Sequence, residues 1–592
     1  MPGWRHAFSL SRDAVKAATP PGTVRLIEHG TTQENGRYVD RLAKYPIPTS
    51  DPADPLNWAP WRKSACVATV SFYAFVATFV SASLLPALSI WNLSFPDRLL
   101  PRGDLMQFVA FNALLLGLGN IFWVPLANIF GRRPILVLSS LILLVSSACG
   151  TATNGFYKVL AIRIFQGVGS SASQTVAVAI IGDMFFIHER SKWMAIYVAS
   201  LASGSAVGGI CGGYMASHLG WYGIFKVTAA FSGFTLLCTI FLAPETIYER
   251  DAPYLPIQRT LPRASRYFPR TPAPYLSLAS LPSTMQMTLP SRFLASVAME
   301  PQGLDLTWYQ TSSSGDLSSS APTPSARRSK VTRSSRVTAL THPRYPPYTY
   351  WRSLIFGMYR GNVSYQFAKP WATLRLPVTW IVMLQYGALI ASWMAISLVG
   401  PQALLQAPYM WGEGEGLLFV GALIGIICGA VYTAILADHR LKALAKKHDH
   451  GYGEPESRIP VMLPSLAVAT AGLLVFGFCA QYPGKYRWVG LEFALGMVAF
   501  GMTQVLSVWF TYLIDSYSQL ATDCLAMVSI LRGIVPFAWT FFVVQWVVED
   551  GFLVPFGGVT VIMGVLSLLV VPLIWTSKRM RVATARFVVA SQ

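Results

Sequence analysis

Charged side chains are rare inside the long apolar stretches of this chain, so the few that occur there mark where chemistry has to be sought. Arg163, in RIFQGVGSSAS, stands well inside one apolar run and Arg532, in SILRG, inside another; Asp104 and Asp515, the latter in YLIDSYSQ, stand near run ends. An arginine facing lipid is costly, so Arg163 is expected to face a bundle interior and a partner, with snorkelling to the interface as the competing reading. A carboxylate held at depth beside an arginine changes its charge on taking up a proton. Arg163 with Asp104 is the proton-coupling pair expected by depth, with Asp515 and Arg532 as further candidates. Amides and aromatic rings offer an organic molecule broad apolar contact and a few orienting hydrogen bonds. On that ground Gln166, Gln174, Tyr197, Gln385, Trp393, Gln504 and Trp509 are the candidate lining of a cavity, although each by itself fits ordinary packing better.

The elements that must position these residues fit a membrane. Of 592 residues only 12% are charged and 53% are hydrophobic, against about a quarter charged in soluble domains. Twelve apolar runs are long enough to cross a hydrocarbon layer of roughly 30 Å as helices. They fall at about 65–90, 105–126, 134–153, 156–182, 193–216, 223–243, 375–400, 415–437, 460–482, 488–514, 522–547 and 552–575. None alternates as a barrel strand does, and helices satisfy their own backbone groups in lipid, so the fold class is an all-α polytopic membrane protein. Six runs precede and six follow a stretch rich in Ser, Pro, Thr and Arg. The organisation is then a tail at 1–64, a six-helix bundle at 65–243, a central loop at 244–374, a second six-helix bundle at 375–575 and a tail at 576–592.

The net charge of +19 is concentrated in alternate loops, at Arg62 and Lys63, Arg132 and Arg133, Arg190 and Lys192, Arg440 to Lys447, and Lys578 to Arg581. This positive-inside pattern puts both termini and the central loop in the cytoplasm and accounts for the charge without a nucleic-acid partner. No secretory signal precedes the first run, which is expected to serve for targeting. The seven cysteines lie in or beside runs without paired spacing and read as packing residues. Asn92, in Asn92-Leu93-Ser94, lies in the first outside loop and is the expected glycosylation site, whereas Asn362 lies on the cytoplasmic side. The central loop is too polar and Pro-rich to build a core, and within it 279–338 looks unlike its flanks, so a retained intron competes with a real loop there.

In VPLANIFGRRP, between the second and third runs, Gly131 permits a tight turn, Pro134 opens the next helix and Arg132 and Arg133 reach the headgroups. Here the chain resembles the major facilitator superfamily, whose loop follows a G-x-L-a-D-r-x-G-r-r-p pattern. Leu126, Gly131, Arg132, Arg133 and Pro134 agree, while Val124 and Asn128 stand where the family has glycine and aspartate. The resemblance implies a cytoplasmic gate latch at Asn128, Gly131, Arg132 and Arg133, repeated after the eighth run in AILADHRLKALAKK by Asp438 and Arg440. Asparagine cannot form an ion pair, so the first half is expected to carry the weaker latch, and Asn128→Asp to slow opening toward the cytoplasm. Arg163, Gln166, Gly167 and Gly169 match the family's R-x-x-q-G-x-g motif, whose arginine is implicated in proton transfer.

Glycines at every fourth residue, Gly204, Gly208 and Gly212 in one run and Gly421, Gly425 and Gly429 in another, share one helix face each. The family fold packs helices five and eight across the interface of the halves, so these two faces are expected to meet there, with ordinary helix packing within one half as the competing reading. Gly204, Gly208, Gly212 and Gly213 also resemble an antiporter motif in which Gly209 replaces the usual proline. DPLNWAPWRK, APETIYER, GEPESRIP, YLIDSYSQ and SILRG resemble the fungal drug:proton antiporter subgroup.

What the resemblance implies is two six-helix bundles rocking around a midplane site, and proton-coupled efflux of a small organic compound such as a secondary metabolite, toxin or drug. With few charges available, a bulky neutral or weakly charged molecule is expected. Proton symport of a nutrient or polyamine is the alternative, and a non-transporting membrane sensor is the alternative from another class. An enzyme is not expected, since no nucleotide-binding glycine loop, metal triad or nucleophile elbow occurs; no cofactor or metal is expected either. The expected partners are a small organic substrate, protons as coupling ion and the lipid bilayer, for a monomer in the plasma membrane.

Overall fold

The computed structural model describes residues 2–34, 37–87, 102–153, 155–248, 349, 362–447 and 451–590. Among the described residues eleven helices are long and apolar enough to cross a membrane. One of them, Ile187–Leu242, has 56 residues, about 84 Å at 1.5 Å per residue and so more than two bilayer cores. It breaks at Gly220, whose φ of 68° lies in the left-handed region, so it forms two spans. The twelve spans are α1 (Pro60–Ala82), α2 (Leu105–Phe130), α3 (Arg132–Gly150), α4 (Phe156–Met184), α5 and α6 (187–219 and 221–242), α7 (Pro377–Leu405), α8 (Phe419–Lys447), α9 (Leu463–Gln481), α10 (Trp488–Ser516), α11 (Ala521–Asp550) and α12 (Leu553–Leu568, continued by Val570–Ala590). They group as two six-helix bundles. Ile424, Ile427, Val431 and Ile435 keep an exposed apolar stripe on α8 at helical spacing, as Val561, Val565 and Leu568 do on α12, which suits lipid as the surrounding medium.

Within each half, helices meet where glycine removes the side chain. A Cβ on Gly204, Gly208 or Gly212 of α5 would press on the α1 carbonyls of Phe75, Phe79 or Ser83, and one on Gly421, Gly425 or Gly429 of α8 on the α10 carbonyls of Glu492, Gly496 or Phe500. The expectation that the two stripes face one another is therefore corrected: each packs inside its own half. Between the halves α5 meets α8 through Gly209, against the Phe419 ring, and meets the turn before α8 through Gly416, against the Gly209 carbonyl. On the other side α2 meets α11 through Gly117 and Gly533, and Phe111 and Phe537 cross edge to face at 5.4 Å.

Both ends of the chain lie on one face, the terminal face. Arg579 donates to the carbonyls of Phe8 and Leu10, and Lys578 to that of Lys16. The N-terminal segment continues across this face: β1 (Val24–Arg25) pairs antiparallel with Tyr452–Gly453, ahead of α9, and the Ile187 N–H donates to the Tyr45 carbonyl at 3.0 Å. Val24, Leu26 and Ile27 bury themselves against Ile187 of α5 and Leu441 and Ala445 of α8, so the segment touches both halves. Asn92, the Asp104 side chain and most of the central loop, 279–338 included, lie outside the described residues.

Candidate functional site

The densest group of charges lies on the terminal face where the two halves meet. Asp515 closes α10, and both Arg190, from the first turn of α5, and Arg458, from the short helix Pro455–Met462 before α9, form ion pairs with it. Arg458 also donates to Asp438 at 3.2 Å and to the Ile187 carbonyl of α5 at 2.7 Å. The second oxygen of Asp438 accepts the Lys192 N–H at 3.3 Å. The Arg458 side chain is fully buried and that of Asp515 is 1% exposed. These charges are therefore held by each other and by carbonyls, the condition under which burial of ions is tolerable.

The elbow after α2 is built differently. Gly131 has a φ of 104°, and a Cβ there would fall 2.5 Å from a Glu245 oxygen. That space admits the Glu245 carboxylate to the start of α3, where it accepts from the backbone of Arg132, Arg133, Thr246 and Ile247 at 2.9–3.1 Å. An anion at a helix N-terminus is favoured by the free N–H groups and the helix dipole. Arg132 pairs with Asp183 at the end of α4, and Arg133 donates to the Ile240 carbonyl of α6. Across the halves, Asn128 donates to Asp523 in the first turn of α11 at 3.5 Å, and Lys369 stands 3.5 Å from the other Asp523 oxygen. Arg440, expected in the gate loop with Asp438, is instead exposed, and the arginine that Asp438 meets is Arg458.

Above this layer a largely apolar cavity opens between the halves. Each half gives three helices to its wall: Ser81 of α1, Leu116 of α2 and Leu201 of α5 face Trp393 of α7, Leu506 of α10 and Arg532 of α11. No aspartate or glutamate is among the described lining residues.

Of the seven residues expected to line a cavity, Trp393 does. Gln166 instead accepts from Arg163 and donates to Ser147, and Tyr197 donates to the Ser173 carbonyl. Gln174, Gln385, Gln504 and Trp509 are buried away from the cavity, each with a polar atom lacking a hydrogen-bond partner. The amphipathic-residue criterion failed because these helices are apolar all round, which hides the inward face. Arg163 does turn inward, as expected, but its donors go to the carbonyls of Val80, Ser81 and Phe108 and to Gln166, at 2.9–3.1 Å, and the described residues give it no carboxylate. It clamps α1, α2 and α4 behind the cavity wall. Asp515 is a partner of Arg190 and Arg458, remote from Arg532, which lines the cavity. Arg458, Asp523 and Glu245 were not singled out in the sequence, and Arg190 only as a topology charge; charges beside span ends, as in GEPESRIP, were the available signal.

The family model described as Major Facilitator Superfamily matches residues 67–540. An uncharacterized MFS-type transporter of Schizosaccharomyces pombe is 22% identical, over 96% of this chain and 93% of its own. The efflux pump FUBT of Fusarium oxysporum is 24% identical, over 82% of this chain and 68% of its own. Among solved structures, the proton:xylose symporter XylE bound to 6-bromo-6-deoxy-D-glucose is similar in fold, with a TM-score of 0.53 at 13% identity over 88% of this chain and 96% of that one. Twelve membrane helices in two bundles and a family match along most of the chain lead to one conclusion: the protein belongs to the major facilitator superfamily.

Proposed function

We propose that this transporter exports a small organic molecule in exchange for protons, by rocking its two halves around the cavity. The observation that carries this reading is the cavity between the halves, shut off on one face by the ion pairs that Asp515 makes with Arg190 and Arg458. The positive-inside pattern makes that face cytoplasmic, and the plasma membrane is the proposed site for a monomer. The cluster is then the latch of a state closed toward the cytoplasm.

With no acid among the described lining residues, the proposed coupling groups are Asp515 and Asp438. A proton on Asp515 removes its ion pair with Arg190 across the halves, and one on Asp438 weakens the oxygen acceptor that the Lys192 N–H of the other half meets, so either favours opening toward the cytoplasm. That is the proton-bound return step an exporter requires, and the substrate leaves in the opposite, deprotonated step. The name of the Fusarium relative as an efflux pump supports the outward direction. Import remains the second reading, because the same fold serves a protein named as a proton:xylose symporter; a polyamine would find no acid among the described lining residues.

Metabolite profiling of cells and medium after deletion of the gene tests the direction. Intracellular build-up of a compound missing from the medium is expected; a nutrient left unused in the medium would reverse the assignment. Movement of that compound into proteoliposomes with proton counterflow then tests the coupling, and flux indifferent to a pH gradient would remove it.

A further inference from the structure

Two buried arginines stand near the middle of the protein, and only one of them is satisfied. Arg163 spends its donors on carbonyls and Gln166. Arg532, 9% exposed at mid-length in α11, lines the cavity with its Nε and Nη1 lacking any hydrogen-bond partner. Among the described residues no carboxylate pairs with it; its guanidinium lies over the Tyr386 ring, 5.6 Å from the centroid. The Tyr386 hydroxyl is likewise buried without a partner and belongs to the same wall. The ring face offsets part of the charge, but a desolvated cation with free donors remains costly until an anion arrives. A guanidinium does not give up its proton in a protein, so Arg532 suits ligand binding and not proton carriage. Around it the wall is largely apolar, with Leu85, Val109, Leu116, Ile390 and Met394.

We propose that Arg532, with the Tyr386 hydroxyl beside it, is the anion-binding position of the cavity, and that the transported molecule is an amphipathic organic carboxylate. The carboxylate takes the orphaned donors through charge-assisted hydrogen bonds, and the apolar body covers the remaining wall. The inference rests on the cavity being the transport site. It replaces the neutral or weakly charged molecule that the scarcity of charge in the sequence favours with a singly charged anion.

The test uses the purified full chain in lipid nanodiscs, with 1-naphthoate, indole-3-acetate and 4-phenylbutyrate as probes, each beside its neutral carboxamide and the corresponding amine. Binding is read from ligand-induced shifts in unfolding temperature and from titrations of tryptophan fluorescence. At least one carboxylate is expected to bind the wild type roughly ten- to hundredfold more tightly than its amide, the range for a hydrogen bond to a charged group. Arg532→Gln should abolish that preference and Arg532→Lys should keep part of it, both variants being checked for wild-type elution and unfolding temperature without ligand. Amides or amines binding as well as carboxylates, carboxylates binding Arg532→Gln as well as wild type, or no charge preference anywhere in the panel would each overturn the proposal. Ser205→Trp, which fills the cavity from α5, separates the two levels of the argument. Binding of amides that is lost in Ser205→Trp leaves the cavity as the transport site and removes the anion, whereas probe binding indifferent to Ser205→Trp removes the cavity itself.

Discussion

The elbow after α2 and the elbow after α8 hold equivalent places in the two halves, yet they meet the opposite half by different chemistry. After α2, Asn128 reaches Asp523 through one hydrogen bond of 3.5 Å, beyond the usual length of such bonds. After α8, Asp438 shares Arg458 with Asp515, and Arg190 arrives from the other half at the same Asp515. Removing one partner from a buried ion pair costs about 3–5 kcal/mol, whereas a stretched hydrogen bond contributes less than about 1 kcal/mol. Closure of the terminal face is thus charged and strong on the side of α5, α8 and α10, and nearly neutral on the side of α2 and α11. Separation of the halves is expected to begin on the weak side and to finish when Asp515 lets go.

Breaking the strong side should have the largest effect. Asp515→Asn removes the anion that Arg190 and Arg458 share, leaving Arg458 to Asp438 alone, and is expected to shift the balance of closed and open terminal faces by about 3 kcal/mol or more, beyond a hundredfold. Spin labels at Lys192 and Leu444, placed in a cysteine-free background, read that balance as a distance distribution; an unchanged distribution would count against Asp515 as the closing group. Next comes Arg458→Met, expected to loosen closure by about 2 kcal/mol, because Asp438 loses its cation while Arg190 still neutralises Asp515. The same labels check it, and a loss as large as that of Asp515→Asn would mean that Arg190 contributes nothing.

The weak side offers a sharper test because its sign differs from the sequence-based expectation. Restoring the family's acid by Asn128→Asp should not tighten closure, since it would set a carboxylate against the Asp523 oxygen now 3.5 Å away. Loosening by about 1 kcal/mol is expected from like charges in contact, with recovery in the exchange Asn128→Asp with Asp523→Asn; tighter closure in the single variant would contradict the assigned pairing. The smallest effect belongs to Arg440→Gln. Exposed and outside the cluster, it should alter closure by no more than about 0.5 kcal/mol, and a loss like that of Arg458→Met would show that the sequence motif had named the right arginine.

How far these assignments could be read without coordinates depended on the kind of signal. The spans were legible because lipid demands about 20 apolar residues in a row; the break at Gly220 falls between the runs expected at 193–216 and 223–243. Helix faces were less legible. The stripes at Gly204 and Gly421 announced close packing correctly but not their partners, since small residues accept any backbone of suitable shape. The cavity was barely legible: Trp393 was found, while Tyr386 and Met394 beside it on α7 carry no mark that separates them from packing residues. Arg532 was visible as a charge in an apolar run and Asp515 as a charge at a run end, but only the fold shows that the first meets no carboxylate among the described residues and the second is shared.

The central claim is that one carboxylate, Asp515, closes the terminal face by holding an arginine from each half. A double-mutant cycle between Arg190 and Asp515, with Arg190→Gln, Asp515→Asn and the pair, tests it most directly when the closed-to-open ratio is read for all four proteins. A coupling energy of about 1.5 kcal/mol or more, with the double variant less open than the sum of the single effects, is the predicted result. Additive effects within about 0.5 kcal/mol would contradict the account, because the two residues would then not be closing the protein together.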